Sequence, residues 1–160
     1  MATALVNLLG EQKEYSRCIE ILGEATRFNP RNAYLWQQMA ACRAQSQGPA
    51  AGIEPLTRAV DLYPERGPFR GSLARLLEAT GNLDEAEKHL RTLLEVEPEN
   101  PVVYCGLAQF LSRHRPQAIQ EARNMAEKAL DLPPRASLPR RVIEKLTTDI
   151  RSRIEPNEQK

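Results

Sequence analysis

Three prolines set the ruler of this chain. Pro30, Pro64 and Pro98 stand 34 residues apart, each at the end of a stretch with helical patterning. Proline lacks an amide proton and disfavours helical geometry in the residue before it, so each one stops a helix. A fixed period of this size is the signature of stacked supersecondary units. A fourth stop, Leu132-Pro133-Pro134, comes 36 residues after Pro98, so that unit carries two extra residues, assigned to the turn near His114-Arg115-Pro116. Between the stops, Leu73, Leu76 and Leu77, then Leu83, Ala86, Leu90, Leu93 and Leu94, recur at three- and four-residue intervals and give each helix one apolar stripe. Alternating β-branched runs are missing, so strands have no support. A single helical hairpin cannot bury its apolar face alone and stacks on the next one.

The residues that recur with the prolines carry a resemblance. Trp36, Ala59 and Pro64 in the second unit; Gly81, Leu83, Ala86 and Pro98 in the third; Tyr104, Leu107, Ala122, Ala129 and Pro134 in the fourth; and, partially, Tyr15, Ala25 and Pro30 in the first follow one pattern. With the turn Gly81-Asn82-Leu83-Asp84-Glu85-Ala86, that pattern resembles the tetratricopeptide repeat family over about residues 2–134. The resemblance implies an all-α, right-handed α-solenoid of helical hairpins. Its expected organisation is about four hairpins over 1–134 (the first divergent, the fourth with the insertion), a capping helix over 135–155 and a polar tail over 156–160. Departures from the pattern are expected to weaken individual units. Arg43 and Arg70 occupy positions where the family brings apolar or aromatic side chains. Pro55 is predicted to shorten or kink its helix, and Gly48 and Gly52 nearby mark the same unit as the least stable.

Charge and chemistry narrow the function by exclusion. With 22 basic against 21 acidic side chains and 5% aromatics, neither a phosphate-binding face nor a stacking platform for nucleic acid is expected. Cys18, Cys42 and Cys105 lie far apart, which fits reduced thiols in packed or groove positions rather than a disulfide framework or a metal site. His89 and His114 are read as solvent-facing. No metal-protease, phosphate-loop or serine-nucleophile motif appears, so neither enzymatic activity nor a cofactor or metal is expected. No apolar run approaches the roughly 18 residues of a membrane span, and no secretory leader is visible. A cytoplasmic location is the default; an exported protein with its signal removed would read the same way.

The resemblance places partner binding on the concave side, lined by the first helix of each hairpin. Helix geometry then turns Tyr34, Gln37, Ala41, Ala44 and Gln45 toward it if Trp36, Met39 and Ala40 point into the stack. One unit on, Pro68, Gly71, Arg75, Glu78 and Ala79 follow, and then Val102, Cys105, Gln109, Ser112 and Arg113. The central line reads Asn7, Ala41, Arg75, Gln109, each 34 residues from the last. Ala41, Gly71 and Cys105 leave room, the amides donate to and accept from a partner main chain, and Arg75 and Arg113 offer donors to a carboxylate. The carboxylate clamp of chaperone-docking family members is not repeated. In one frame its positions are Thr3, Asn7, Gln38, Pro68 and Ser72, with Asn7 alone matching; in the next they are Gln37, Ala41, Ser72, Val102 and Gly106.

Residues 138–154 carry Val142, Ile143, Leu146, Ile150 and Ile154 on one face, with Arg140, Arg141, Lys145, Arg151 and Arg153 on the other. That second face is either a solvated surface or a basic docking patch formed by Arg141, Lys145 and Arg151. The expected function is a protein-interaction or assembly module. It would hold a partner peptide or helix through Asn7, Tyr34, Gln37, Arg75, Gln109 and Arg113, as a monomer or with weak self-association. Two alternatives stay open: a non-catalytic domain or subunit of a larger enzyme or secretion/assembly machine, and a self-assembling scaffold.

Overall fold

In the computed structural model, residues 2–133 and 137–154 are described, without the side chains of Ala2, Thr3 and Asn7. Pro134 and the tail assigned to 156–160 therefore lie outside the described residues, as does the side chain of Asn7. Helices α1 (Ala2–Glu11), α2 (Tyr15–Phe28), α3 (Ala33–Gln47), α4 (Ala50–Leu62), α5 (Gly67–Ala79), α6 (Leu83–Val96), α7 (Pro101–His114), α8 (Ile119–Asp131) and α9 (Arg140–Ile154) follow one another, with no strand among the described residues. The two extra residues of the fourth unit fall where a short 3-10 turn, Pro116–Ala118, joins α7 to α8. The chain forms two compact units, residues 1–89 and 90–160, whose boundary lies within α6.

Helix starts obey the same 34-residue ruler. Asn32 caps α3 by accepting from the Tyr34 amide, and Asn100 caps α7 by accepting from the Val102 amide, both at 3.1 Å. Such a cap stabilises a helix by about 1 kcal/mol. The intervening register position, Arg66, has no side-chain cap, and α5 instead has a proline in its first turn. Gly81 closes the α5–α6 turn at φ 79°, a left-handed conformation that glycine adopts without steric cost. Lys13 holds a comparable conformation at φ 61° between α1 and α2.

In the first unit, Val6, Leu9, Cys18, Leu22, Leu35, Met39 and Cys42 form a core shared by α1, α2 and α3. The Cys42 thiol is pushed up to about 12 by burial first and then by neighbouring Cys18, so it is packed as an uncharged hydrophobe. Helix α4 runs without a break through Pro55, which is itself buried. The expected shortening therefore does not occur: packing around the ring outweighs the one lost helical bond.

Gly52 plays a different part from the one its sequence position implied. It is buried, and a Cβ there would lie 2.7 Å from the Ala40 carbonyl oxygen and 2.9 Å from Leu76 Cδ1. Its missing side chain lets α3 and α4 approach closely.

Arg70 also corrects a reading. The Trp36 indole Nε1 donates to the Pro30 carbonyl at 2.8 Å, and 34 residues on, Arg70 Nη2 donates to the Pro64 carbonyl at the same distance. The guanidinium thus performs the task of the aromatic it replaces, satisfying the carbonyl at the end of the preceding helix. Trp36 is half-buried rather than wholly inside, with Arg58 over its ring at 4.7 Å. Arg70 Nη1 also reaches His89 Nδ1 at 3.4 Å. An arginine only donates, so Nδ1 accepts and the neutral ring carries its proton on Nε2. His89 is accordingly half-buried and not solvent-facing. Its pKa is held below the ordinary histidine value by burial first and by Arg70 next, with Glu85 opposing.

In the second unit, Tyr104, Cys105, Ala129 and Ile143 are buried together, flanked by Leu94, Met125, Leu130 and Leu146. Cys105 is therefore a core residue and not a groove residue. Its helix buries two faces at once, and burial pushes its thiol up to about 11. Helix α8 buries Ala122, Ala126 and Ala129, the last of them in this core, and α9 packs on α7 and α8 with Ile143, Thr147, Ile150 and Ile154 buried. Val142 (41% exposed) and half-buried Leu146 lie at the edge of the α9 apolar face rather than beneath it.

Candidate partner-binding grooves

The helix-geometry reading selects residues that gather around a groove in the first unit. Gln37, Ala41, Ala44 and Gln45 of α3 line it together with Ser72, Arg75 and Leu76 of α5, and Leu56 of α4 contributes as well. It is open to solvent and encloses about 460 Å³. Helix α3 creates it by necessity. The helix buries Leu35, Met39, Ala40 and Cys42, and the remaining face carries alanines at the positions where longer side chains would fill the space. Arg75 is the one charged residue of the lining, and it forms no ion pair among the described residues. Its Nη2 donates to Ser72 Oγ at 3.3 Å, and Ser72 Oγ donates to the Pro68 carbonyl at 2.9 Å. The guanidinium is thus held beside an apolar floor, with most of its donors unused among the described residues. Gln38 adds a buried Oε1 with no hydrogen-bond donor among the described residues.

A second groove lies in the second unit, between α7 and α9, and encloses about 240 Å³. Gln109, Ser112 and Arg113 form one wall, and Lys145 with the α9 residues Val142 and Leu146 forms the other. Arg153 spans it, its Nη1 donating to the Ser112 carbonyl at 3.0 Å and to Ser112 Oγ at 2.8 Å.

The residues selected from sequence therefore fall into separate groups. Gln37 and Arg75 share the first groove; Gln109 and Arg113 share the second. Tyr34 lines neither. It is exposed, packs edge-on against Phe69 at 5.3 Å between centroids, and lies beneath Arg66. Pro68, Gly71, Glu78 and Ala79 are also outside the first groove's lining.

The basic patch divides as well. Lys145 belongs to the groove, and Arg141 is exposed. Arg151 Nη2 is turned to Glu127 on α8 at 3.0 Å. There Arg123 also donates, and the two guanidiniums hold the Glu127 carboxyl below the usual carboxylate range. Gln38, Leu56 and Leu76 were not expected in this groove. Leu56 and Leu76 carry only the ordinary signal of core leucines, and Gln38 was singled out for a clamp position rather than for this groove.

Helical hairpins joined by connections of a few residues, with partner-sized grooves along their first helices, define the class of helical repeat proteins. Comparison with known proteins makes the class specific. A model of the tetratricopeptide repeat matches residues 43–110. The small glutamine-rich tetratricopeptide repeat-containing protein 2 of Mycosarcoma maydis is 29% identical over 96 residues. That match covers 60% of this chain, which spans only 27% of the length of that relative. Among solved structures, MamA superposes with a TM-score of 0.70 at 13% identity, covering 97% of both chains. The first tetratricopeptide domain of Spaghetti (RPAP3), bound to the HSP90 peptide SRMEEVD, superposes with a TM-score of 0.62 at 20% identity, covering 70% of this chain and 89% of that one. Residues 43–110 thus match the tetratricopeptide repeat, and the chain has the all-α hairpin-repeat fold of such solenoids.

Proposed function

We propose that this chain is a non-catalytic protein-interaction module that holds a segment of a partner protein in the groove of its first unit. The observation that carries the reading is the convergence of Gln37, Ala41 and Arg75, two of them in one 34-residue register, on an open groove with an apolar floor and a cation that forms no ion pair among the described residues. The alanines leave room for partner side chains, Gln37 and Gln45 match a partner main chain, and Arg75 addresses a carboxylate. The fold is shared with a domain solved with a peptide bound, which supports this kind of use. Asn7, Tyr34, Gln109 and Arg113 extend the candidate set beyond this groove, and helices over 1–134 are read as four hairpins followed by a cap. The test is a pull-down from native lysate with wild type beside the Arg75→Ala, Gln37→Ala double variant, both first shown to fold, followed by calorimetric titration of the captured partner. A charged hydrogen bond contributes about 1.5–3 kcal/mol and a neutral one about 1, so their joint loss weakens binding at least about tenfold. Retention of every partner at unchanged affinity refutes the groove assignment.

A further inference from the structure

We propose that the groove between α7 and α9 is a separate docking site, and that its occupant is an acidic amphipathic helix of another protein. Three cations, Arg113, Lys145 and Arg153, face it against the one carboxylate of Asp149. Arg153 is already oriented: Nη1 is committed to Ser112, while Nε and Nη2 make no bond among the described residues and remain available as a fork for a carboxylate. Lys145 forms no ion pair among the described residues, in contrast to Arg140 and Arg151, which are tied to Glu144 and Glu127.

Between these cations the surface is apolar. Val142 is 41% exposed, Leu146 is half-buried, and both lie in the lining above Ile150. Val142, Leu146 and Ile150 succeed one another at four-residue spacing, so they form a ridge along α9 of the kind against which a partner helix sets its own i, i+4 and i+7 side chains. Lys145 and Arg153 stand two turns apart, about 12 Å along the axis. A partner helix with glutamates two turns apart on the flank of an apolar stripe meets both cations while its stripe covers Val142 and Leu146. Charge complementarity and the uncovered apolar edge thus select the same occupant. This site does not use Arg75 or Gln37 and does not depend on the first groove.

The probe is a fluorescein-labelled helical peptide of about sixteen residues, long enough to span the α9 wall. It has leucines at i, i+4 and i+7 and glutamates flanking them, and it is compared with a lysine-for-glutamate twin, an alanine-for-leucine twin and oligoglutamate. Fluorescence anisotropy with the full chain is expected to show saturable binding of the first peptide and at least tenfold weaker binding of the other three. Lys145→Glu and Val142→Ser, both surface substitutions checked by circular dichroism, each weaken binding severalfold or more, whereas Arg75→Ala leaves it unchanged. No binding at millimolar protein, equal binding of oligoglutamate, or indifference to both α9 variants overturns the proposal. Loss of binding through Arg75→Ala alone assigns the peptide to the first groove and overturns it too.

Discussion

Replacing Gly52 by alanine reverses an expectation drawn from helix propensity. In an exposed helix interior the change stabilises by about 1 kcal/mol, because glycine loses the most backbone freedom on folding. Here the added Cβ meets a backbone oxygen, Ala40 O, at 2.7 Å, as well as Leu76 Cδ1 at 2.9 Å and Ala44 Cβ at 3.1 Å. Leucine can rotate away, but the carbonyl belongs to α3, so α3 and α4 must separate by several tenths of an ångström. Overpacking of this kind costs about 1–3 kcal/mol, and occasionally more where backbone is the obstacle. With backbone as the obstacle the upper part of that range applies, about 2–3 kcal/mol. Net of the propensity gain of about 1 kcal/mol, Gly52→Ala is expected to destabilise by about 1–2 kcal/mol, a fall in Tm of roughly 3–6 °C for a chain this size. The effect reaches the groove as well, because Ala40, Ala44 and Leu76 all line it. Urea denaturation and thermal unfolding of wild type and variant, followed by titration of the captured partner, test both parts. A variant as stable as wild type, or more stable, refutes the close-packing argument.

Two further outcomes follow from the contacts of Arg70 and Trp36. His89 has a folded-state pKa below its unfolded one, so the unfolded chain binds more protons between the two values, and stability is lost as pH falls from about 7 through the ordinary histidine range. Denaturation midpoints at pH 7.5 and 5.5 are expected to differ less for His89→Gln than for wild type, and an equal difference refutes the role. Trp36→Phe keeps an aromatic ring and removes the Nε1 bond to Pro30, so it is expected to cost at least about 1 kcal/mol, with Arg70→Met costing at least as much through the Pro64 bond. Chemical denaturation showing Arg70→Met neutral would mean that the arginine does not substitute for the aromatic.

The architecture was legible because its signals are local and repeated. A proline stop, a helix-spaced leucine stripe and an αL glycine at Gly81 each act within one turn of chain. The groove face of α3 was legible for the same reason, since helix geometry turns Gln37, Ala41, Ala44 and Gln45 together. What sequence did not reveal depends on distance through space. Cys105 has the spacing of a groove residue, yet the core of α7, α8 and α9 closes over it. Gly52 and Pro55 read as helix breakers because propensity sees only the helix they occupy, not the neighbour that packs against it. The basic face of α9 looked uniform, but Glu127 on another helix claims Arg151 and leaves Lys145 in the groove.

The shared task of Trp36 and Arg70 bears on how such a repeat can diverge. Each side chain reaches back past the start of its own helix to satisfy one carbonyl of the connection before it, Pro30 or Pro64, and each spans the same 2.8 Å to do so. What passes from one unit to the next is a donor at a fixed reach, and either an indole or a guanidinium supplies it. Drift between the two changes surface charge without releasing the loop, so repeats of one chain can acquire different electrostatic characters on a common scaffold.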